Sequence, residues 1–224
     1  MSGERALVVL SGGQDSTTCL YWAMARFGAD NVASVTFDYG QRHRIELKCA
    51  ARVAEHAGVP NVCLPIDTFA ALGGNSLTDA AIDVQRQAVA EGGLPNTFVP
   101  GRNLIFLTFA AAYAYQRSIQ HLVTGVAQTD YSGYPDCRET TISALQEALN
   151  LGMEADFRIH TPLMKLSKKQ TVELARDLGA LPAMALTHTC YNGQRPPCGH
   201  CPACQLRARG FDEAGVADPL LSAE

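Results

Sequence analysis

The chain has 224 residues, is 47% hydrophobic and carries a formal charge of −4, enough to bury a sizeable core in one domain, expected to run over 1–224. That balance argues against a broad electrostatic footprint for tRNA or DNA, although a local basic patch stays open. The opening Met1-Ser2-Gly3-Glu4-Arg5 has no apolar signal segment and the longest greasy run, Leu104 to Tyr115, is too short to span a bilayer, so a soluble, cytoplasmic protein with no membrane partner is expected.

The first element is a short apolar strand, Ala6 to Leu10, followed by Ser11-Gly12-Gly13-Gln14-Asp15-Ser16 and a helical run over 17–27. Adjacent glycines at a strand-to-helix turn let the backbone approach a ligand, and the helix start offers N–H groups to anionic oxygens. A bare Gly-Gly would be an ordinary turn with Asp15 or Ser16 as a cap; the six-residue pattern favours a phosphate loop. The spacing fits neither Gly-x-x-x-x-Gly-Lys-Ser/Thr nor Gly-x-Gly-x-x-Gly. It resembles instead the pyrophosphate loop (PP-loop) of the ATP pyrophosphatases, which cleave ATP between its α and β phosphates. That resemblance implies an ATP-contacting run of Leu10, Ser11, Gly12, Gly13, Gln14, Asp15, Ser16, Thr17 and Thr18. Within it the Gly12 and Gly13 amides and the Ser11 and Ser16 hydroxyls hold the leaving pyrophosphate, and Asp15 helps place Mg2+.

A second strand, 31–37, ends at Asp38-Tyr39-Gly40-Gln41-Arg42-His43, and 44–58 has helical periodicity with a stop at Gly58. Strand-helix-strand-helix alternation predicts a Rossmann-like α/β fold with a parallel sheet and ligands beyond the strands' carboxyl ends. Asp38 and Gln41 then fall beside the loop as candidate substrate contacts, or equally as a helix cap before a solvated basic face. A third strand spans 61–66, and 67–96 reads as a loop-rich excursion. Val99-Pro100-Gly101-Arg102-Asn103 precedes a helix, 104–115, that is apolar almost all round. Arg102 is a candidate carboxylate or phosphate contact, against a surface arginine with its stem packed down.

The fourth strand, 121–126, runs into the loop 128–138, whose aromatics and carboxylates suit a pocket for a flat heterocycle. Tyr131 and Tyr134 are candidates for stacking, Asp130 or Asp136 for accepting N–H groups, and Arg138 is the loop's cation. Helices are expected at about 140–151 and over 171–178, the latter capped by Ser167, where Lys168 or Lys169 can reach a phosphate. Composition shifts sharply after 179–189.

Four of the eight cysteines lie at Cys190-x7-Cys198-x2-Cys201-x2-Cys204, a spacing that closes a tetrahedron of sulfur around one ion. Zinc is favoured over an iron–sulfur cluster, with His200 as a substitute ligand. A full set of four thiolates leaves no open position, so one structural Zn2+ per chain is expected in a subregion at 190–204.

These two signals, with Phe37 to His43, Val99 to Asn103, Asp130 to Arg138, Thr161 to Met164 and Cys190 to Gly193, resemble the 7-cyano-7-deazaguanine synthase family nearly end to end. The resemblance implies an ATP-dependent ligase joining 7-carboxy-7-deazaguanine and ammonia into a nitrile through two adenylations, in queuosine biosynthesis. Asp15, Ser16, Arg102 and Lys168 would carry the chemistry. No Ser-His-Asp or Cys-His nucleophile is evident, so positioning and charge stabilisation should supply most of the rate, with Cys137 lining the pocket. Ammonia is expected as free ammonium or from a partner enzyme, and a homodimer is the better guess. Alternatives are a tRNA-modifying sulfur transferase of the same superfamily, a zinc-knuckle binding module, and a relative attaching activated deazaguanine to another molecule.

Overall fold

The computed structural model describes residues 3–41, 44–79, 81–85, 93–128 and 133–222. In chain order the elements are β1 (Ala6–Val9), α1 (Gln14–Phe27), β2 (Val32–Asp38), α2 (Ile45–Ala57), β3 (Asn61–Pro65) and α3 (Thr68–Leu72). They continue with α4 (Arg102–Tyr115), β4 (His121–Val123), α5 (Glu139–Met153), β5 (Arg158–His160), α6 (Lys168–Asp177), α7 (Leu181–Met184), α8 (Pro202–Glu213) and α9 (Pro219–Ser222). The strands form a five-stranded sheet in the order β3-β2-β1-β4-β5, and every neighbouring pair is parallel.

Alternation along β1 explains the layering. Ala6, Val8 and Leu10 pack with Leu20 and Ala23 of α1 and Ala50 and Val53 of α2 on one face. Leu7, with the partly buried Val9, meets Ala110, Ala111 and Ala114 of α4 and Leu149 of α5 on the other. With both faces covered, the central strand is apolar at every position, and each fully buried large side chain contributes about 1.5–3 kcal/mol.

Several elements differ from the sequence expectation. The fourth strand stops at Val123, and the chain then runs without regular structure over 124–127, where Gly125 lies against the start of α1. β5 has three residues, too few for a periodicity to be seen, and exists through its pairing with β4. The helix expected over 171–178 begins at Lys168, because Ser167 caps it in a full capping box with Gln170. α8 starts inside the cysteine-rich region with a proline in its first turn. The 67–96 excursion contains α3, and part of it is tied by Asn75, whose side-chain oxygen accepts from the Leu77 and Thr78 N–H groups. α4 is not buried all round: Phe109 and Tyr115 are about half exposed. Among the described residues, no helix is long and apolar enough to cross a membrane.

Candidate active site

The sheet order reverses between β1 and β4, and the crevice at their carboxyl ends is where an open parallel sheet takes a ligand. The Ser11–Ser16 loop forms its floor. Gly12 has φ +84°, and a Cβ there would lie 2.5 Å from the Glu46 carbonyl oxygen and 2.6 Å from the Ala50 nitrogen. Only glycine lets the loop rest this closely on α2. Gly125 is the same device from the other side, since a Cβ would meet the Asp15 and Ser16 backbone at 3.1 Å.

The hydroxyls shape the loop. Ser11 and Ser16 share a hydrogen bond of 3.0 Å between their Oγ atoms, the Ser11 N–H donates to Ser16 Oγ, and Ser16 Oγ donates to the Gly13 carbonyl. Thr17 and Thr18 are fully buried and donate back to the Gly13 and Gln14 carbonyls, so their side chains support the loop from behind. Leu10 continues the sheet, its N–H donating to the Val35 carbonyl at 2.8 Å. The N-cap of α1 is Gly13, which offers no side-chain cap. At the same spot Gln14 Nε2 and Asp15 Oδ1 are buried with no hydrogen-bond partner among the described residues, an arrangement that leaves polar capacity for a ligand.

Asp15 Oδ2 accepts from Lys168 Nζ at 2.6 Å, and both side chains are substantially buried. Lysine at the first position of a helix opposes the helix dipole, so the carboxylate offsets a position the α6 sequence alone disfavours. α8 holds the lysine stem in place: a Cβ at Gly210 would lie 2.9 Å from Lys168 Cβ. Lys169 instead pairs with Glu173 along the helix surface.

Arg102 begins α4 and lies against Tyr39, with Nη1 donating to the tyrosine oxygen at 3.3 Å and the guanidinium 5.7 Å from the ring centre. Asp136, buried, accepts from the Asn103 N–H at 3.0 Å and so supplies the cap that Gly101 cannot. Tyr134 lines the crevice, its hydroxyl sharing a 2.6 Å bond with Thr97. Gln41 lines it too, but its amide closes the turn after β2 by accepting from the Tyr39 N–H and donating to the Phe37 carbonyl. Asp38 pairs with Arg44, and Arg138 is exposed at the cap of α5; neither is among the residues lining the crevice. Asp130 and Tyr131 lie outside the described residues.

The structure adds residues that sequence reasoning did not select. Tyr39, Glu46, Asn103, Phe106, His188 and Tyr191 all line the crevice. Burial pushes the Glu46 carboxyl up to about 7, against a smaller opposing pull from Arg102, and burial likewise raises the Tyr39 hydroxyl. Glu46 carries a weak sequence signal, an acid in the first turn of a helix, which dipole complementarity alone accounts for.

His188 joins the crevice to the cysteine region. Its N–H donates to the Gly12 carbonyl at 2.9 Å and its ring nitrogen lies 2.9 Å from the Cys190 carbonyl. Cys190, Cys198, Cys201 and Cys204 bring their sulfurs within 4.8 Å of one another, with Cys198 and Cys204 at 3.9 Å. A tetrahedral ion with metal–sulfur bonds of about 2.3 Å needs sulfurs about 3.8 Å apart, so the set fits a metal. The Cys198 N–H donates to Cys190 Sγ, where burial nonetheless raises the thiol, and the Cys201 N–H and Asn192 Nδ2 donate to Cys198 Sγ, which favours its thiolate. A bond from the Cys204 thiol holds Cys201 down at about 5 and raises Cys204. His200 is exposed and turned to the Cys198 carbonyl, and it is not in the set.

Fold and site together define a parallel α/β protein with a glycine loop at the sheet's switch point and an appended four-cysteine knuckle whose sulfurs are placed so that they could hold a metal. The family model described as "Queuosine biosynthesis protein QueC" matches residues 5–215. A protein named 7-cyano-7-deazaguanine synthase from Chromobacterium violaceum is 68% identical over 220 residues, covering 98% of this chain and 94% of that one. Its namesakes from Laribacter hongkongensis and Lysinibacillus sphaericus are 64% and 51% identical, covering 98% and 95% of this chain and 95% and 96% of theirs. The chain belongs to the QueC family of queuosine biosynthesis proteins.

Proposed function

We propose that this chain is an ATP-dependent carbon–nitrogen ligase that converts 7-carboxy-7-deazaguanine and ammonia to 7-cyano-7-deazaguanine through adenylated intermediates. The near full-length likeness to relatives bearing the synthase name carries the reading, and the buried Asp15–Lys168 pair at the glycine loop is the structural feature that supports it most. A carboxylate is a poor electrophile, and transfer of its oxygen to AMP makes that oxygen a leaving group. In this reading the helix start at Gln14 to Ser16, the Gly12 and Gly13 amides, the Ser11 and Ser16 hydroxyls and Lys168 hold the departing pyrophosphate. The buried, unpartnered Asp15 Oδ1 is the atom suited to Mg2+, which when bound would neutralise charge building on the phosphates.

Arg102 orients the carboxylate, and the aromatic wall of Tyr39, Phe106 and Tyr134 accommodates the flat heterocycle. Asp130 and Tyr131 are the direct contacts proposed on the substrate side, Asp136 and Gln41 act through the backbone they tie, and Asp38 and Arg138, which do not line the crevice, act at its outer edge. The knuckle ion is zinc, one per chain, held by Cys190, Cys198, Cys201 and Cys204, and its part is to fix the knuckle. The protein acts in the cytoplasm as a homodimer without a nucleic-acid partner; its acidic balance and the exposed Phe109, Tyr115 and Leu151 support this.

Isotope transfer tests the chemistry. With both carboxylate oxygens of the substrate labelled by heavy oxygen, the amide-forming step should deliver one label to AMP and the nitrile-forming step the other. Labelled inorganic phosphate with unlabelled AMP would mean attack on the γ phosphorus and would overturn the adenylation reading.

A further inference from the structure

Ammonia is carried at neutral pH almost wholly as ammonium, which has no lone pair to offer. A site that uses it must therefore remove a proton within reach of the activated carbon. Among the described residues, the carboxylates around the crevice differ in what already holds them. Asp15 is held by Lys168, Asp38 by Arg44, and Asp136 by the Asn103 N–H. Glu46 lines the crevice and makes no ion pair among the described residues.

Its position is fixed. Glu46 lies in the first turn of α2, and its own carbonyl oxygen is the atom against which Gly12 packs. The residue that carries the carboxylate is thus registered directly to the loop, and Arg102 and Tyr39 line the same crevice. The charged and titratable groups acting on it are Arg102 from α4, Tyr39 from the turn after β2, and Cys49 one turn further along α2. Arg102 favours the ionised form without neutralising it in a pair.

From this geometry we infer that Glu46 is the group that receives the incoming ammonium and takes its proton for the amide-forming step. The inference rests on the ligase reading above. The carboxylate accepts one proton from ammonium, giving the acid and ammonia. The ammonia lone pair forms the C–N bond at the acyl adenylate, and the C–O bond breaks with its electrons leaving on AMP. The surplus proton on the new amide nitrogen passes to the departing phosphate. The raised carboxyl supports the role, since a base near the working pH transfers protons most efficiently.

The test compares Glu46→Gln with the wild type in three assays on the full chain. The first is ATP/pyrophosphate exchange driven by the carboxylate alone, which needs no amine and should change less than about 3-fold, because only the deprotonation has been removed. The second is amide formation from ammonium near neutral pH, which should fall about 100-fold, with the deficit closing as pH rises and free ammonia accumulates. The third replaces ammonium by hydroxylamine, which is already neutral at that pH, and hydroxamate formation should stay near wild type. Retained hydroxamate formation also shows that the variant is folded. Wild-type rates with ammonium would overturn the inference. Equal losses with ammonium and hydroxylamine would overturn it too, showing that Glu46 positions the amine or the substrate, and lost exchange would assign it to adenylation. A wild-type enzyme with no carboxylate-dependent exchange would instead bring down the ligase reading, and this inference with it.

Discussion

The glycine loop and the cysteine knuckle are joined through His188, yet they satisfy their polar groups in opposite ways. In the knuckle, sulfurs accept N–H bonds from the backbone and from Asn192, and the four lie at mutual distances that one ion completes. In the loop, Gln14 Nε2 and Asp15 Oδ1 are buried without partners among the described residues, and a lysine stands at the positive end of a helix. A closed donor set makes a staple, whereas an incomplete one stores a demand that a reacting ligand meets. His188 connects the two, because one residue bonds both Gly12 and Cys190.

The largest expected effect comes from the incomplete side. Asp15→Asn should lower the adenylation rate by about 1000-fold, roughly 4 kcal/mol of barrier, while changing thermal stability less than Asp15→Ala, which leaves the buried Lys168 without this partner. Exchange kinetics beside a melting curve check this. A large fall in melting temperature with modest loss of rate would place Asp15 with the structural group and erase the contrast.

Next in size is Cys201→Ser, which should lose the knuckle's metal and about 3 kcal/mol or more of stability, read by metal analysis and denaturant titration. Because His188 and Gly210 tie this region to Gly12 and Lys168, any residual folded fraction should show weakened exchange as well. Full metal content with an unchanged melting temperature would refute the staple.

The smallest effect has the opposite sign. Glu46 has a folded-state value of about 7, above the usual range for its carboxyl. Its contribution to stability is therefore fully present below the unfolded value and is lost as pH rises to 7 and beyond. Glu46→Gln should match the wild type near pH 4 and exceed it by about 2 kcal/mol at pH 8. Equal stabilities at both pH values would show that the carboxyl is not held in a desolvated site. A stabilising change that removes activity is the expected mark of a functional group.

What the sequence determined by itself was local. The strand-turn-helix around Ser11 to Ser16, the alternation that makes a parallel sheet, the Ser167 cap and the cysteine spacing each depend on neighbours within a few residues, so the chain order carries them. The likeness to the family, too, was legible from those runs. The tertiary structure decided what meets across the sheet's carboxyl edge. Asp15 and Lys168 are 153 residues apart, and the strand order β3-β2-β1-β4-β5 brings the ends of β1 and β4 side by side where α6 can reach them. It likewise turned Asp136 into a cap for α4, spent Thr17 and Thr18 inside α1, and opened Glu46 to the crevice. A residue's type fixes what bonds it can make; which groups lie within 3 Å of it, and so which bonds remain open, is set only when the layers pack.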